Sequence, residues 1–120
     1  MKILNLTTAF LVAGALTSSA LATESNQEVI YNQKCSSCHG LTAEGNPVKK
    51  GPALNHKSIG DLQITILDLQ GELSINGNSS GDHYQMEHNI QTFAKEGYVI
   101  KPLEMSKFLY YSFNPEASRH

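Results

Sequence analysis

The stretch Cys35-Ser36-Ser37-Cys38-His39 constrains this chain more than any other. Its C-x-x-C-H spacing is the one that attaches a c-type haem. Two thiols must reach the two vinyl groups on neighbouring edges of one porphyrin. The next residue must then lie under the ring, so that an imidazole nitrogen can bind the iron. Cys35 and Cys38 are also the only 2 cysteines of the chain, so neither is spare for a disulfide elsewhere.

Three other uses of the pair fit less well. A thioredoxin-like redox centre wants a strand before it and a βαβ frame around it, yet Ser25 to Lys34 is polar and carries no strand-like run. A structural zinc site wants four ligands; Cys35, Cys38 and His39 leave one missing, and adjacent ligands are poorly placed for a tetrahedron. A disulfide between Cys35 and Cys38 closes a loop too short to stabilise much.

The N-terminus fits a secretory signal. Lys2 supplies the positive region, Ile3 to Leu16 is mostly apolar, and the small residues of Thr17-Ser18-Ser19-Ala20-Leu21-Ala22 end in an A-x-A site. Cleavage after Ala22 is expected, so that 1–22 is the signal and 23–120 the working domain. A retained anchor would need about 20 apolar residues, and this run is shorter and interrupted by Asn5, Thr7 and Thr8. Cleavage leaves 98 of the 120 residues, with eight of the nine Lys and Arg against eleven Asp and Glu, a net charge of −3. That balance argues against nucleic acid, which selects a basic stripe. A domain of this size has a marginal core, and with no Trp in the chain a covalently held porphyrin would supply much of the missing apolar surface.

Local patterns are mostly helical. Glu24 to Lys34 reads as a short amphipathic helix with Val29, Ile30 and Tyr31 on its apolar side. Gly40 to Asn55 is a loop, broken by Gly45, Pro47, Gly51 and Pro52. A ligating His usually donates its second ring N–H to a carbonyl or carboxylate, and the Gly51-Pro52-Ala53-Leu54 turn is a rigid way to hold one; an ordinary surface turn reads equally well. Ser58 with Asp61 is a helix start signal, and Ile59, Leu62, Ile66 and Leu69 form one face of a helix reaching Gln70, stopped by Gly71. The β-branched run Ile64-Thr65-Ile66 leaves a strand open there. Glu72 to Gln85 reads as an extended or looped segment, followed by Met86, a short helix over Asn89 to Glu96, and an apolar link at Tyr98-Val99-Ile100. Pro102 opens a last helix, with Met105, Phe108, Leu109 and Ser112 in helical register. Asn114-Pro115 ends it, and the tail to His120 is expected to fray.

Taken together, the chain resembles a small monohaem class I c-type cytochrome of the exported bacterial kind. The likeness rests on the leader, the helix into Cys35-x-x-Cys38-His39-Gly40, the Gly51-Pro52-x-Leu54 turn, a methionine before the last helix, and that helix's aromatic residues. It implies an all-α fold, a cytochrome c-like bundle of three to five short helices around one covalently bound haem c. Cys35 and Cys38 would form the thioethers, His39 would be the proximal iron ligand, and the Pro52 carbonyl would orient it. Met86 is the methionine that fits the distal position. Family methionines usually sit in Pro- or Gly-rich loops, whereas Met86 stands between His83 and His88, so His83, His88 or an open site are the alternatives. Met105 reads as a core residue, and His56 and His120 as surface residues. Phe108 and Tyr111 would cross the first helix near Tyr31.

The function this implies is electron carriage in the periplasm rather than enzymatic catalysis. Two axial ligands restrict the iron to Fe(III)/Fe(II) exchange, and a His/Met pair raises the potential. Partners would be redox proteins, such as a membrane or periplasmic oxidoreductase, with no nucleic acid and no lasting membrane anchor. Lys34, Lys49, Lys50 and Lys57 flank the motif and the Gly51-Pro52 turn, either as a docking patch for acidic partners or as a solvated face. Two other readings stand beside this one: a haem subunit of a larger oxidoreductase, and a gas-binding sensor with an open sixth site. Hydrolytic chemistry finds no motif to support it.

Overall fold

The computed structural model describes residues 23–71 and 82–119. The proposed signal at 1–22, the Gly-rich stretch from Glu72 to Gly81, the His83 side chain and His120 lie outside the described residues. Those described are mostly helical and include no strand. The helices are α1 (Gln27–Ile30), a π-helical turn (Tyr31–Cys35), α2 (Ser36–His39), α3 (Ile59–Leu69), α4 (Asp82–Lys95) and α5 (Pro102–Phe113), with a 3₁₀ turn over Pro115–Arg119. No helix among them is long and apolar enough to cross a membrane.

The first helix begins later and runs further than its sequence pattern indicates. Asn26 caps it by accepting a hydrogen bond from Val29 N at 3.1 Å, and Asn is a strong N-cap. The helix then continues without a break through the π-helical turn to His39, so the cysteines sit on a helix rather than after one. Ile30 and Tyr31 are fully buried, while Val29 lies at the boundary.

The helix α3 starts where Ser58 accepts from Asp61 N at 3.1 Å and buries Leu62, Ile66 and Leu69. Its β-branched run is helical, with the Thr65 hydroxyl bonded back to Asp61 O at 2.9 Å. The helix α4 corrects the expectation of a loop before Met86. It starts at Asp82, so Tyr84, Gln85 and Met86 are helical. No Gly or Pro interrupts Asp82 to Glu96, and Met86, Ile90 and Phe93 recur at the spacing of one helix face. The glycines that suggest a loop, Gly77 and Gly81, both precede Asp82 in the chain.

The last helix, α5, opens at Pro102 and closes at Asn114. It packs on α3 and α1. Met105 and Leu109 point into the core, but Ser112 is exposed. Tyr31 meets Phe108, as expected, with ring centroids 6.0 Å apart. Its second aromatic partner is Phe113, at 5.6 Å, and not Tyr111, which is exposed and meets the Tyr110 ring at 5.3 Å. Two residues along a helix is about 200° of rotation, so Tyr111 and Phe113 cannot share a face. The tail does not simply fray; Ala117 N bonds to Asn114 O at 3.0 Å in the 3₁₀ turn.

Polar side chains tie segments distant in sequence together. The buried Gln27 amide donates to Ser25 O at 2.8 Å and Val99 O at 3.0 Å, and accepts from Lys101 N at 3.1 Å. Next to it, Glu24 N bonds Gly97 O and Val99 N bonds Glu24 O, a short parallel pairing. Asn114 Nδ2 donates to Lys57 O at 3.1 Å, holding the end of α5 to the loop before α3. Replacing Gln27 by Ala would leave three backbone groups unpaired near the core. We expect Gln27→Ala to destabilise the protein by about 2 kcal/mol, seen in urea unfolding as a lower midpoint with little change in slope.

Candidate functional site

The π-helical turn decides what shares a face with His39. Ser36 N bonds back to Tyr31 O, five residues earlier, which places one residue more in that turn than an α-helix holds. In an unbroken α-helix the eight residues from Tyr31 to His39 overshoot two full turns by about 80°. The wider turn removes most of that overshoot. Tyr31, Cys35, Cys38 and His39 accordingly line one cavity.

That cavity measures about 640 Å³, within the range of ligand sites, roughly 300–1,000 Å³. Leu54, Leu62, Ile66, Leu69, Ile90, Ile100 and Leu109 give it apolar walls, and Met86 also reaches it, from α4. Lys49, Lys50 and Lys57 stand along its rim. A separate groove of about 520 Å³, beside Ser58, Gly60 and Tyr110, holds no cysteine, histidine or charged group.

His39 is held firmly. It is buried to 6 % exposure, and its Nδ1 lies 2.8 Å from Pro52 O. A carbonyl only accepts, so Nδ1 carries the proton and, in the neutral ring, Nε2 is left with its lone pair. Nε2 has no hydrogen-bond partner among the described residues, and no buried side-chain nitrogen or oxygen there is unsatisfied; Nε2 therefore opens to the cavity that His39 lines. This is the state in which an imidazole binds a metal ion.

The loop from Gly40 to Lys57 brings that carbonyl into place. Gly40 turns the chain out of α2 at φ 96°, a region that only Gly enters freely. Asn46 and Gly51 exchange two backbone hydrogen bonds, at 2.8 and 3.1 Å. Ala43 O accepts from both Leu54 N and Asn55 N. At Gly51 the loop runs so close to the motif that a methyl group there would fall 1.7 Å from the Cys38 carbonyl oxygen. Sequence reasoning treats Gly51 as a loop breaker, and its role as the contact that seats Pro52 under His39 emerges only in three dimensions.

Among the described residues no group of three or more His, Cys, Asp or Glu converges in a way that could hold a metal ion. Cys35 and Cys38 are both free thiols. Burial, and next the Cys38 sulfur, push the Cys35 thiol up to about 12. A redox-active cysteine is instead tuned downward, which counts against the thioredoxin-like use. Burial, with the neighbouring Cys35 and Glu44 adding to it, also pushes the Tyr31 phenol above its ordinary range.

Two other candidates part from the group. His88, an alternative distal ligand, is exposed and is not part of the cavity lining; it stands about 200° from Met86 around α4. Lys34 does not belong with the rim lysines. Its ammonium lies 3.4 Å from Glu96 and 4.9 Å from the centre of the Tyr98 ring, so its charge is engaged. His56 is exposed, as expected. Comparison of the chain with protein-family models, curated proteins and solved structures finds no match.

Two outcomes follow from this geometry. Gly51→Ala should displace the Pro52 turn and cost about 3 kcal/mol or more, with loss of the His39–Pro52 bond visible as faster exchange of the ring N–H. In haem-free protein, iodoacetamide should modify Cys35 very slowly at pH 7. Its raised pKa keeps the neutral thiol dominant, so the rate should climb about tenfold per pH unit well beyond pH 9 rather than levelling off there.

Proposed function

We propose that this protein is an exported carrier of single electrons that uses one covalently attached haem c. The observation that carries the reading is the proton-fixed His39 ring. Its Nδ1–H is committed to Pro52 O, and its remaining nitrogen opens to a cavity that also receives both thiols of the Cys35-x-x-Cys38 pair.

The residues present suit such a group. Cys35 and Cys38 would hold it through thioethers, and His39 would be its proximal ligand. Met86 would be the distal ligand, since it is the one methionine on α4 and reaches the cavity. Bound there, haem supplies the Fe(III)/Fe(II) couple, and a His/Met pair would place its potential at the upper end for such centres. The protein's own work is to exclude water with the Leu and Ile walls and to hold His39 in one tautomer. The Pro52 carbonyl would make that ring a stronger donor to a bound metal. Lys49, Lys50 and Lys57, with no acidic residue between Gly45 and Gly60, suit a rim that meets acidic redox partners, and a positive rim would quicken encounter at low salt. The leader at 1–22 agrees with this chemistry, since haem of this type is attached outside the bacterial cytoplasmic membrane in the systems the chain resembles.

A sensor with an open sixth site stands as the second reading, because Met86 is only partly buried and sits on a helix rather than in a tight loop. The test is expression with the leader in a host that matures c-type haem. The carrier reading expects one haem per chain by mass and a pyridine haemochrome typical of two thioethers. It also expects a far-red ferric Met-to-iron band that Met86→Ala removes. A ferric high-spin native spectrum would select the sensor instead, and matured protein without an adduct would end both.

A further inference from the structure

We infer that Tyr31 is a positioning residue for His39, an inference that rests on the haem-carrier reading. Tyr31 begins the π-helical turn, and its hydroxyl donates to Gly40 O at 2.6 Å. That carbonyl belongs to the residue immediately after His39. The backbone around His39 is therefore fixed at two successive carbonyls. His39 O accepts from Gly45 N at 2.6 Å, and Gly40 O accepts from the phenol. With both in place, the ring stands where Pro52 O meets Nδ1 at 2.8 Å.

The ring of Tyr31 does a different job from its hydroxyl. It packs against Phe108 and Phe113 of α5, whose own rings meet 5.5 Å apart, and it is 1 % exposed. The aromatic contacts set where the phenol oxygen lies, and the oxygen sets where the chain leaves His39. Tyr31 thus connects the last helix to the ligand. Losing the hydroxyl would keep the ring packing and loosen the turn at Gly40. The Nδ1–H to Pro52 bond would then weaken, the ring would donate less to the iron, and the ferric state would lose more than the ferrous.

The test compares Tyr31→Phe, which keeps the ring, with Phe113→Leu, which keeps the hydroxyl and loosens the packing. Exchange of the His39 Nδ1 proton is followed by NMR in protein carrying ¹⁵N-labelled histidine, and the reduction potential is measured on the same samples. We expect exchange to quicken about fivefold in Tyr31→Phe beyond any change in Phe113→Leu, the worth of one ordinary hydrogen bond. The potential should rise in Tyr31→Phe alone. Exchange and potential in Tyr31→Phe within error of those in Phe113→Leu would overturn the inference. So would a Tyr31→Phe chain that fails to fold while Phe113→Leu folds, since the hydroxyl would then serve the whole fold. If the wild-type chain matures without haem, the carrier reading fails by itself, and the exchange comparison on the haem-free protein still decides the role of Tyr31.

Discussion

A single proton on one histidine nitrogen is the constraint that the rest of this molecule serves. His39 can offer Nε2 as a lone-pair donor only if Nδ1 keeps its hydrogen, and a carbonyl is a partner that enforces this because it cannot donate in return. The carbonyl comes from Pro52, thirteen residues downstream. To bring it there, the chain folds a loop whose own amides are occupied: Asn46 pairs with Gly51, and Leu54 and Asn55 share Ala43 O. Such a loop would be an entropic burden without these bonds. With them it forms a rigid floor, seated on Cys38 through the bare backbone of Gly51.

The helices supply walls around that floor. Helices α3 and α5 pack on one another and place Leu62, Ile66, Leu69, Met105 and Leu109 on the cavity side. In a chain of this size such surface is scarce, and each 100 Å² of it covered by an apolar group contributes about 2.5 kcal/mol. A flat porphyrin in the proposed carrier would cover both faces of the cavity at once. The same walls would lower the local dielectric and so strengthen the His39 hydrogen bond that fixes the ligand. Stability and electronic tuning then draw on the same residues.

How much of this could be read from the residues alone depends on whether the cause was local. The starts of α3 and α5 were legible because Ser58 and Pro102 act on their own next few backbone groups. The buried face of α3 was legible because periodicity is a property of one helix. The π-helical turn was not, since nothing in Tyr31-Asn32-Gln33-Lys34-Cys35 forbids an ordinary helix, and contacts made elsewhere select the wider turn. Tyr111 was expected beside Tyr31, and Phe113 takes that place because packing, not the sequence of α5, sets the phase of α5 against α1. Lys34 looked like part of a basic patch by its place in the chain, yet Glu96 and Tyr98, more than sixty residues away, claim it. That the Cys-x-x-Cys-His stretch would bring Cys35, Cys38 and His39 to one cavity was legible. That Gly51 and Tyr31 hold it in place was not, because one acts through a missing side chain and the other through a hydroxyl on a residue that reads as core.

The same distinction governs the distal side. In a loop, Met86 and His88 would compete on nearly equal terms, since a flexible backbone can turn either toward a ligand. On α4 they cannot, because helical phase separates them by more than half a turn, and the cavity takes Met86 with Asn89 and Ile90 while His88 faces solvent. Helix formation thus performs a selection that composition leaves open. It also changes the character of the proposed ligand. A methionine in a loop adjusts to the iron by moving its own backbone, whereas one on α4 has only its side-chain torsions, which are many and soft. The hold on the distal position would then depend on how firmly Ile90 and Phe93 seat α4 against the core. Changes in that packing, at a distance from the iron, would shift the balance between a closed carrier and a site that admits a small ligand.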